Sequence, residues 1–356
     1  MTVTWATNHC NYWYSIAHVT VTLLNLNFSF SCPRCSTDLP AWTSGAQICS
    51  KCGTAFELRD GIYRFLLPER LIELQPFLDQ YRAVREKDGY RSRSPNYYRS
   101  LPKVERNDPQ AETWRIRQVT FNNLCRFIKG RHRLKADGYD EPNPRSGFSP
   151  SPRRRFPTDA ATDAEPLSIL DLGAGNGWLS HRLAALGHRC AAVDWLDDAE
   201  DGLGASRHYP VEFLSVQADF DRLPFAPGQF DLAIFNASLH YAPNVSATLE
   251  HTAHLLTPGG ALVVMDSPVF RSASAGRQML AQREDDFKKH YGLSQVFRSG
   301  MGYLLLSDLV EAGRKLKMPK VQFLPSRGGW LWETRRLLAS LKNGREPARF
   351  GLVLYR

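Results

Sequence analysis

Residues 168–195 read SILDLGAGNGWLSHRLAALGHRCAAVDW, and this stretch decides the fold of the chain. It begins with an apolar run that is typical of a strand buried on both faces. Three alternating glycines, Gly173, Gly175 and Gly177, follow, and a second strand-like run ends on Asp194. Glycines at a strand end permit positive φ angles and let a ligand approach the backbone without meeting a Cβ. The stretch therefore predicts a strand, a ligand-binding turn, a helix and a second strand that ends on a carboxylate.

The alternation of strands and helices continues along the chain. Further strand-like runs are VEFLSVQ (211–217), FDLAIFN (230–236), ALVVMD (261–266), KVQFLP (320–325) and RFGLVLYR (349–356). A helical stretch at 244–256 is followed by TPGG, which is typical of a helix end. The pattern predicts an α/β fold with a doubly wound parallel sheet. In such a sheet, ligands bind beyond the carboxyl ends of the strands, where the strand order reverses.

Trp178 argues against a dinucleotide at this turn. A dinucleotide fingerprint has the form G-x-G-x-x-G, and Trp178 stands where its last glycine is required. The motifs instead resemble, in order, those of class I S-adenosylmethionine-dependent methyltransferases, specifically the type 11 family around the ubiquinone and menaquinone methyltransferases. The resemblance is carried by LDLGAGNGWLS (170–180), VDW (193–195), QADFDRLPFAPGQFDLAIFNASLHY (217–241) and LLTPGGALVVMD (255–266). It implies a Rossmann-like sheet of seven strands.

The resemblance also implies S-adenosyl-L-methionine as the cofactor and assigns residues to its parts. The methionine part would be held by Asp171 and by the backbone of Gly173, Ala174, Gly175, Asn176 and Gly177, with Asn236 lining the same end. The ribose would be bound by Asp194, with Trp195 beside it, and the adenine by Asp219 and Phe220. The alternative for Asp194 and Asp219 is a role as ordinary strand-end or turn residues.

Methyl transfer requires a base only if the nucleophile must lose a proton early. His240, just past the fourth strand of the domain, is the candidate base, and Tyr241 is a second candidate catalytic residue. The alternative is that either side chain packs beneath the turn or contacts the acceptor without proton transfer. The aromatic and basic residues expected to close over the cofactor or acceptor are Tyr81, Tyr97, Tyr98, Trp114 and Arg115.

Four cysteines near the start of the chain form two C-x₂-C knuckles. Cys32 and Cys35 are separated by thirteen residues from Cys49 and Cys52, a spacing that suits one tetrahedral Zn²⁺ site. A redox pair is the alternative for a single knuckle. The module resembles the small zinc ribbons that precede some methyltransferases, including a ribosomal-RNA guanine methyltransferase, and it serves either substrate binding or structure alone.

The charge of the chain is unevenly distributed. The net charge is +9, but residues 165–266 carry 13 acidic and 4 basic residues. Acidic residues suit a cationic cofactor, whereas the basic flanks suit either an RNA partner or solvated helix faces. Arg153, Arg154 and Arg155 stand in a segment rich in Pro, Ser and Arg, where they either contact phosphates or are simply solvated. NASLHY (236–241) lacks the proline-containing turn used on base amines, which favours a small-molecule acceptor over RNA.

These patterns predict five segments: an uncharged extension (1–31), a zinc ribbon (32–66), a helical cap (69–130), a flexible linker (131–166) and the methyltransferase domain (167–356). Cys10, Cys125 and Cys190 stand alone, and this cysteine usage fits the cytoplasm. We expect no targeting signal, membrane insertion or obligate protein partner. The leading hypothesis is a methyltransferase that acts on a small molecule. The alternatives are an rRNA or tRNA methyltransferase, a non-catalytic zinc-ribbon protein that binds nucleic acid, and a nicotinamide oxidoreductase.

Overall fold

The computed structural model describes residues 27–42, 45–91, 93–136, 165–326 and 344–356, with backbone alone for 131–136. The strands of these parts are Ala46–Ile48 (β1), Ala55–Arg59 (β2), Ile62–Arg64 (β3), Ser168–Leu172 (β4), Arg189–Asp194 (β5), Leu214–Gln217 (β6), Phe230–Asn236 (β7), Leu256–Met265 (β8), Val269–Phe270 (β9), Leu304–Leu305 (β10), Val321–Pro325 (β11) and Gly351–Tyr355 (β12). The helices are Pro68–Lys87 (α1), Pro95–Ser100 (α2), Ala111–Ala136 (α3), Trp178–Ala184 (α4), Val245–His254 (α5), Ala273–Tyr291 (α6) and Leu306–Lys315 (α7).

One large sheet organises the molecule, with the strand order β1-β2-β3-β6-β5-β4-β7-β8-β12-β11. The strands from β3 to β8 in that order are parallel to their neighbours, whereas β12 runs antiparallel to β8 and β11. The seven strands from β6 to β11 are the predicted ones, and the Rossmann-like fold class is confirmed. The chain leaves β4 first toward β5 and β6 and later toward β7 and β8, so the order reverses beside β4, where a ligand site is expected.

Helices cover both faces of the sheet. Alternate residues of β4 point into two separate clusters of buried side chains, with Ile169 in one and Leu170 in the other. The cluster of Ile169 includes side chains of α2, α3 and α4, and the cluster of Leu170 includes side chains of α1, α5 and α7. This arrangement is the doubly wound packing that the sequence pattern predicts.

The cysteine-bearing module extends the sheet rather than standing apart from it. Its last strand, β3, pairs in parallel with β6, and the next residue, Phe65, donates its backbone N–H to the Gln217 carbonyl at 2.8 Å. Phe30, Phe56 and Phe65 are buried in the same cluster as the side chains of the central strands. The module is too short to form a core of its own, so it shares the core of the larger domain. This continuity, which gives the sheet ten strands, was not predicted.

Two segments differ from their sequence-based description. Part of the predicted uncharged extension packs against the domain, since the Phe28 ring stacks on Phe230 with centroids 5.1 Å apart. The backbone of α3 stays helical to Ala136, past the predicted start of the linker at 131. Residues 1–26 and 137–164, which include Cys10 and the Arg153–Arg155 run, lie outside the described residues. Within the described part, no helix is both long and apolar enough to cross a membrane.

Candidate functional site

A cavity lies at the carboxyl ends of β4, β5 and β7, beneath α1 and α3. Its volume is about 710 Å³, counting the part that is open to solvent. The cavity occupies the point in the sheet at which the strand order reverses.

The glycine turn after β4 forms one wall of the cavity. Gly173, Ala174, Gly175 and Asn176 line it, whereas Gly177 does not. A Cβ on Gly173 would lie 2.2 Å from the Cβ of Ser238, so this position requires glycine for packing as well as for its φ of 72°. The wall is therefore largely backbone, as the sequence pattern predicts.

Two carboxylates flank the glycine turn at different depths. Asp194 lines the cavity, and its two oxygens accept the backbone N–H groups of Gly175 and Leu196, both at 2.8 Å. Asp171 is fully buried and does not line the cavity, and its Oδ2 accepts the Ser180 hydroxyl at 2.8 Å. Burial raises the pKa of Asp171 to about 7 and that of Asp194 to about 6. The two acids titrate near neutrality because desolvation disfavours their charged forms.

An aromatic pair lines the next part of the cavity. The rings of Trp195 and Phe220 are stacked, with centroids 5.1 Å apart and an interplanar angle of 25°. Asp219, predicted beside them, does not line the cavity, and one of its oxygens accepts the Arg70 guanidinium of α1. Its other oxygen is buried and, within the described part of the chain, has no hydrogen-bond partner. That oxygen is the part of Asp219 still available to an amino group.

The two candidate catalytic residues occupy different surroundings. Tyr241 lines the cavity, and so does Asn236 at the end of β7. His240 does not line it, and its Nδ1 lies 3.2 Å from the Ser267 hydroxyl. Burial lowers the pKa of His240 to about 3, so the imidazole is neutral at physiological pH and a weak base.

Helix α1 contributes cavity residues that the sequence motifs did not single out. Phe77, Tyr81 and Arg85 lie four residues apart, which places them on one face of the helix. The Phe77 ring lies 6.0 Å from the Trp195 ring and 5.7 Å from the Tyr241 ring. A repeat of four within α1 was the available sequence signal, but only Tyr81 was identified. The cavity is thus covered by aromatic side chains from a helix that precedes the glycine turn by about a hundred residues.

Helix α3 adds Arg117 to the same lining. Arg115, predicted to close over the site, instead lies on the outer surface and pairs with Glu112. Trp114 is almost fully buried, and its ring meets Trp178 edge to face with centroids 5.8 Å apart. Trp178 lines the cavity, so Trp114 supports the wall without forming it.

The four cysteines of the knuckles converge on one point. Their sulfur atoms all lie within 4.8 Å of one another, and the Cys32–Cys52 and Cys35–Cys49 sulfurs are 3.6 Å apart. Zn–S bonds of about 2.3 Å in a tetrahedron give sulfur–sulfur distances of roughly 3.8 Å. The donor set and its spacing therefore fit a single Zn²⁺ ion.

Hydroxyl groups beside two of these cysteines favour the thiolate that a metal requires. The Thr54 hydroxyl lies 3.2 Å from the Cys52 sulfur and lowers the pKa of that thiol to about 6. The Thr37 hydroxyl lowers the pKa of Cys35 in the same way, whereas burial raises that of Cys32 to about 12. A bound cation would supply the stabilisation that the buried Cys32 thiolate lacks.

Comparison with known proteins identifies residues 170–264 as a match to a family described as a methyltransferase domain. The chain is 31% identical over 148 residues to the fatty-acid O-methyltransferase of Mycolicibacterium smegmatis. The aligned region covers 39% of this chain and 54% of that protein. It is 37% identical over 98 residues to the demethylmenaquinone methyltransferase of Mycobacterium sp. strain KMS. That aligned region covers 28% of this chain and 40% of the relative.

A solved structure, that of the CurJ carbon methyltransferase, is similar to 55% of this chain and 49% of that one, at 17% identity and a TM-score of 0.37. The chain thus spans about half, or less, of the length of the curated relatives described above.

Proposed function

We propose that this chain, which contains a class I S-adenosylmethionine-dependent methyltransferase domain, is an enzyme that transfers a methyl group to a small-molecule acceptor. The observation that carries the proposal is the cavity at the reversal of strand order. Its wall combines the glycine turn, the carboxylate of Asp194 and the stacked pair Trp195 and Phe220. Exposed backbone, a carboxylate and aromatic rings suit a nucleoside that carries a positive charge and no phosphate better than they suit a pyrophosphate.

Each part of the cofactor has a candidate partner in the wall of the cavity or just behind it. The ribose hydroxyls would donate to Asp194, whose carboxylate retains lone pairs beyond the two backbone bonds it accepts. The adenine would lie against Phe220 and Trp195, with the free oxygen of Asp219 as the acceptor for its amino group. The methionine part would lie along Gly173–Gly175 toward Asn236. Asp171, beneath the turn, would act through the turn rather than by contact.

Methyl transfer depends mainly on how the protein orients the reacting groups. When bound, the cofactor supplies a methyl group already activated by a sulfonium leaving group. The residues of this chain hold the reacting groups in line and exclude water, and proximity and orientation supply most of the rate effect. Tyr241 lies in the cavity wall and is the candidate for contact with the acceptor. His240, neutral and held by Ser267, is better suited to supporting Tyr241, whose ring lies 4.2 Å away, than to removing a proton.

The cover of the cavity favours a small acceptor with an apolar or planar part. Phe77, Tyr81 and Tyr241 present ring faces and edges, with centroids 5.7–6.4 Å apart. Aromatic walls with a few polar groups are typical of small-molecule sites. The curated relatives include a fatty-acid O-methyltransferase and a demethylmenaquinone methyltransferase, whose names agree with an acceptor of this kind.

We assign separate roles to the segments of the chain. The ribbon of residues 32–66 would hold a structural Zn²⁺ ion, and the cap of residues 69–130 would cover the site built by residues 167–356. We also assign the protein to a reducing compartment such as the cytoplasm, because its cysteines are arranged as two metal-binding knuckles and lone residues and not as a disulfide framework.

Labelled methyl transfer tests the proposal directly. Protein incubated with S-adenosyl-[methyl-³H]methionine and a small-molecule extract should yield a labelled organic product together with S-adenosylhomocysteine. A parallel reaction with total RNA should remain unlabelled. Label in RNA alone would move the protein to the RNA-modifying class. Binding of NAD⁺ but not S-adenosylmethionine in calorimetry would contradict the assignment of a methyltransferase.

A further inference from the structure

Two arginines line the cavity, and one of them is already committed. The Arg85 guanidinium donates through Nε and Nη2 to the two oxygens of Asp201, with the Nη2 bond at 2.8 Å. It also lies on the Tyr90 ring, 3.3 Å from its centroid. The Asp201 side chain is only 2% exposed, so this pair is a buried structural contact. The charge of Arg85 is therefore balanced by Asp201 and is not available to a ligand.

Arg117 differs from Arg85 because, within the described part of the chain, its guanidinium makes no ion pair or hydrogen bond. Its contact is with the Trp114 ring, whose centroid lies 4.6 Å from Cζ. Trp114 is fixed by a 3.0 Å hydrogen bond from Nε1 to the Tyr97 hydroxyl and by its edge-to-face contact with Trp178. Trp178 directly follows the glycine turn. Arg117 is thus held at the turn end of the cavity by a rigid aromatic support.

Two buried acids interact electrostatically with Arg117, but each of them is bound by another group. Asp201 is bound by Arg85, and Asp266 accepts the Thr120 hydroxyl at 2.7 Å. Burial raises the pKa of Asp266 to about 6, even though the positive charge of Arg117 acts in the opposite direction. Among the described residues, the cavity therefore presents an unpaired cation beside its glycine turn. The other charged groups of the wall are carboxylates and Arg85, which is paired with Asp201.

We propose that Arg117 binds the α-carboxylate of the methionine part of S-adenosylmethionine. The inference rests on the proposed function and names the group that fixes that end of the cofactor. A methionine group carries both an ammonium and a carboxylate. The acids of the wall suit the ammonium, whereas the N–H groups of Gly173, Ala174 and Gly175 already donate to Val193 and Asp194 and are not available to the carboxylate. A guanidinium matches a carboxylate with two parallel hydrogen bonds, which are among the strongest in proteins.

The test compares two ligands that differ only in this carboxylate. Calorimetry measures the Kd of S-adenosylmethionine and of decarboxylated S-adenosylmethionine for the full chain and for Arg117→Ala, Arg117→Lys and Arg115→Ala. Arg117→Ala should weaken S-adenosylmethionine binding tenfold or more while leaving the decarboxylated ligand within about twofold. Arg117→Lys, which keeps the charge but not the paired donors, should recover part of the loss. Arg115→Ala, on the outer face of α3, should bind both ligands like the unmodified chain.

The possible results separate the inference from the function on which it rests. Equal weakening of both ligands in Arg117→Ala would mean that the arginine only supports the fold, and it would overturn the inference alone. Unchanged S-adenosylmethionine binding would also overturn it. Failure of the unmodified chain to bind either ligand would overturn both the inference and the proposed function.

Discussion

In the proposed site, the carboxylate of Asp194 binds both the protein backbone and the cofactor. Its oxygens already accept the N–H groups of Gly175 and Leu196, which fixes the turn and the start of the next loop. The remaining lone pairs face a cavity in which ribose hydroxyls are the expected donors. Both roles belong to one side chain, so its removal should weaken cofactor binding directly and also by loosening the glycine turn.

Asp194→Ala should lower the affinity for S-adenosylmethionine tenfold or more. Hydrogen bonds to a charged group contribute roughly 1.5–3 kcal/mol, and about 1.4 kcal/mol corresponds to a factor of ten in Kd. Calorimetry measures the change, and circular dichroism checks that the variant is folded. Glu212→Ala, which removes an exposed acid from the same acidic segment, should keep the affinity of the unmodified chain. An unchanged Kd in Asp194→Ala would show that the ribose is bound elsewhere.

Asp171 should make the stability of the unliganded protein depend on pH. Burial raises its pKa in the folded state from 3.8 to about 7, so the folded state holds this proton more tightly than the unfolded state. Its contribution to stability therefore falls as the pH rises from about 4 to about 7, and the loss is complete above that range. Asp171→Asn keeps the shape and an acceptor for Ser180 but removes the titration.

The melting temperature of Asp171→Asn minus that of the unmodified chain should consequently increase between pH 5 and pH 8. Scanning calorimetry without cofactor measures it, and Asp194 is present in both proteins, so its own titration cancels to first order. Parallel melting curves across this range would mean that Asp171 is ionised without penalty.

Among the structural elements, strand β3 links the cysteine module to the cavity. Besides its pairing with β6, its Arg64 donates to the carboxylate of Asp197 and to the Gln217 side chain at 3.3 Å. The Gln217 amide donates to the carbonyl of Trp195 at 2.9 Å, and Trp195 lines the cavity. A continuous set of contacts therefore runs from β3 to the aromatic pair that is proposed to hold the adenine.

Purified protein should contain about one zinc per chain, and its removal should weaken cofactor binding as well as stability. Metal binding supplies folding energy to so small a module, so loss of the ion should loosen β3 and its contacts with β6. Elemental analysis measures the metal, and calorimetry measures the Kd of S-adenosylmethionine before and after chelation. Cys49→Ser should lose the metal, whereas Cys125→Ser should retain it.

Absence of metal from protein never exposed to a chelator would exclude the zinc site. Full metal content combined with unchanged cofactor affinity after chelation would leave the site in place and remove its link to the cavity.

Local sequence patterns predicted the glycine turn, Asp194 and the strands around the site. The parts of the site that depend on pairing between distant segments were not predicted. The glycine turn, Asp194 and the seven strands were predictable because each is encoded in a few adjacent residues. The parallel pairing of β3 with β6 was not predictable, since two short strands separated by some 150 residues carry no mark of their partnership. Arg117 and Phe77 were missed for the same reason. Their helices show amphipathic spacing, but nothing in that spacing says which end of the sheet they cover.

At the scale of the whole molecule, opposite charges from distant segments are paired within the chain. Arg64, Arg70, Arg85 and Arg91 precede the acidic segment of residues 165–266 and pair with Asp197, Asp219, Asp201 and Asp198, respectively. These arginines are mostly shielded from solvent by the contacts. Part of the basic surplus of the first 164 residues therefore neutralises the acidic segment and is not presented to an external polyanion. The pairing weakens the case that the charge asymmetry serves RNA binding.

Arg153, Arg154 and Arg155 form a basic cluster within the first 164 residues on which an RNA substrate would depend. If RNA were the acceptor, phosphate contacts would have to come from such residues, because the carboxylates around the cavity repel a polyanion. Each phosphate neutralised by a basic residue adds to the dependence of binding on salt. Reversal of all three arginines to glutamate would then raise the Michaelis constant and flatten its salt dependence.

We expect the opposite result. In labelled methyl transfer to the small-molecule extract, the triple glutamate variant should match the unmodified chain, and both should be indifferent to moderate salt. Filter binding with a mixed-sequence single-stranded oligoribonucleotide should detect only weak, non-specific association that fades at physiological salt. A steep salt dependence of turnover that vanishes in the triple variant would contradict the small-molecule assignment, because a small acceptor has no phosphate backbone whose neutralisation would make binding depend on salt.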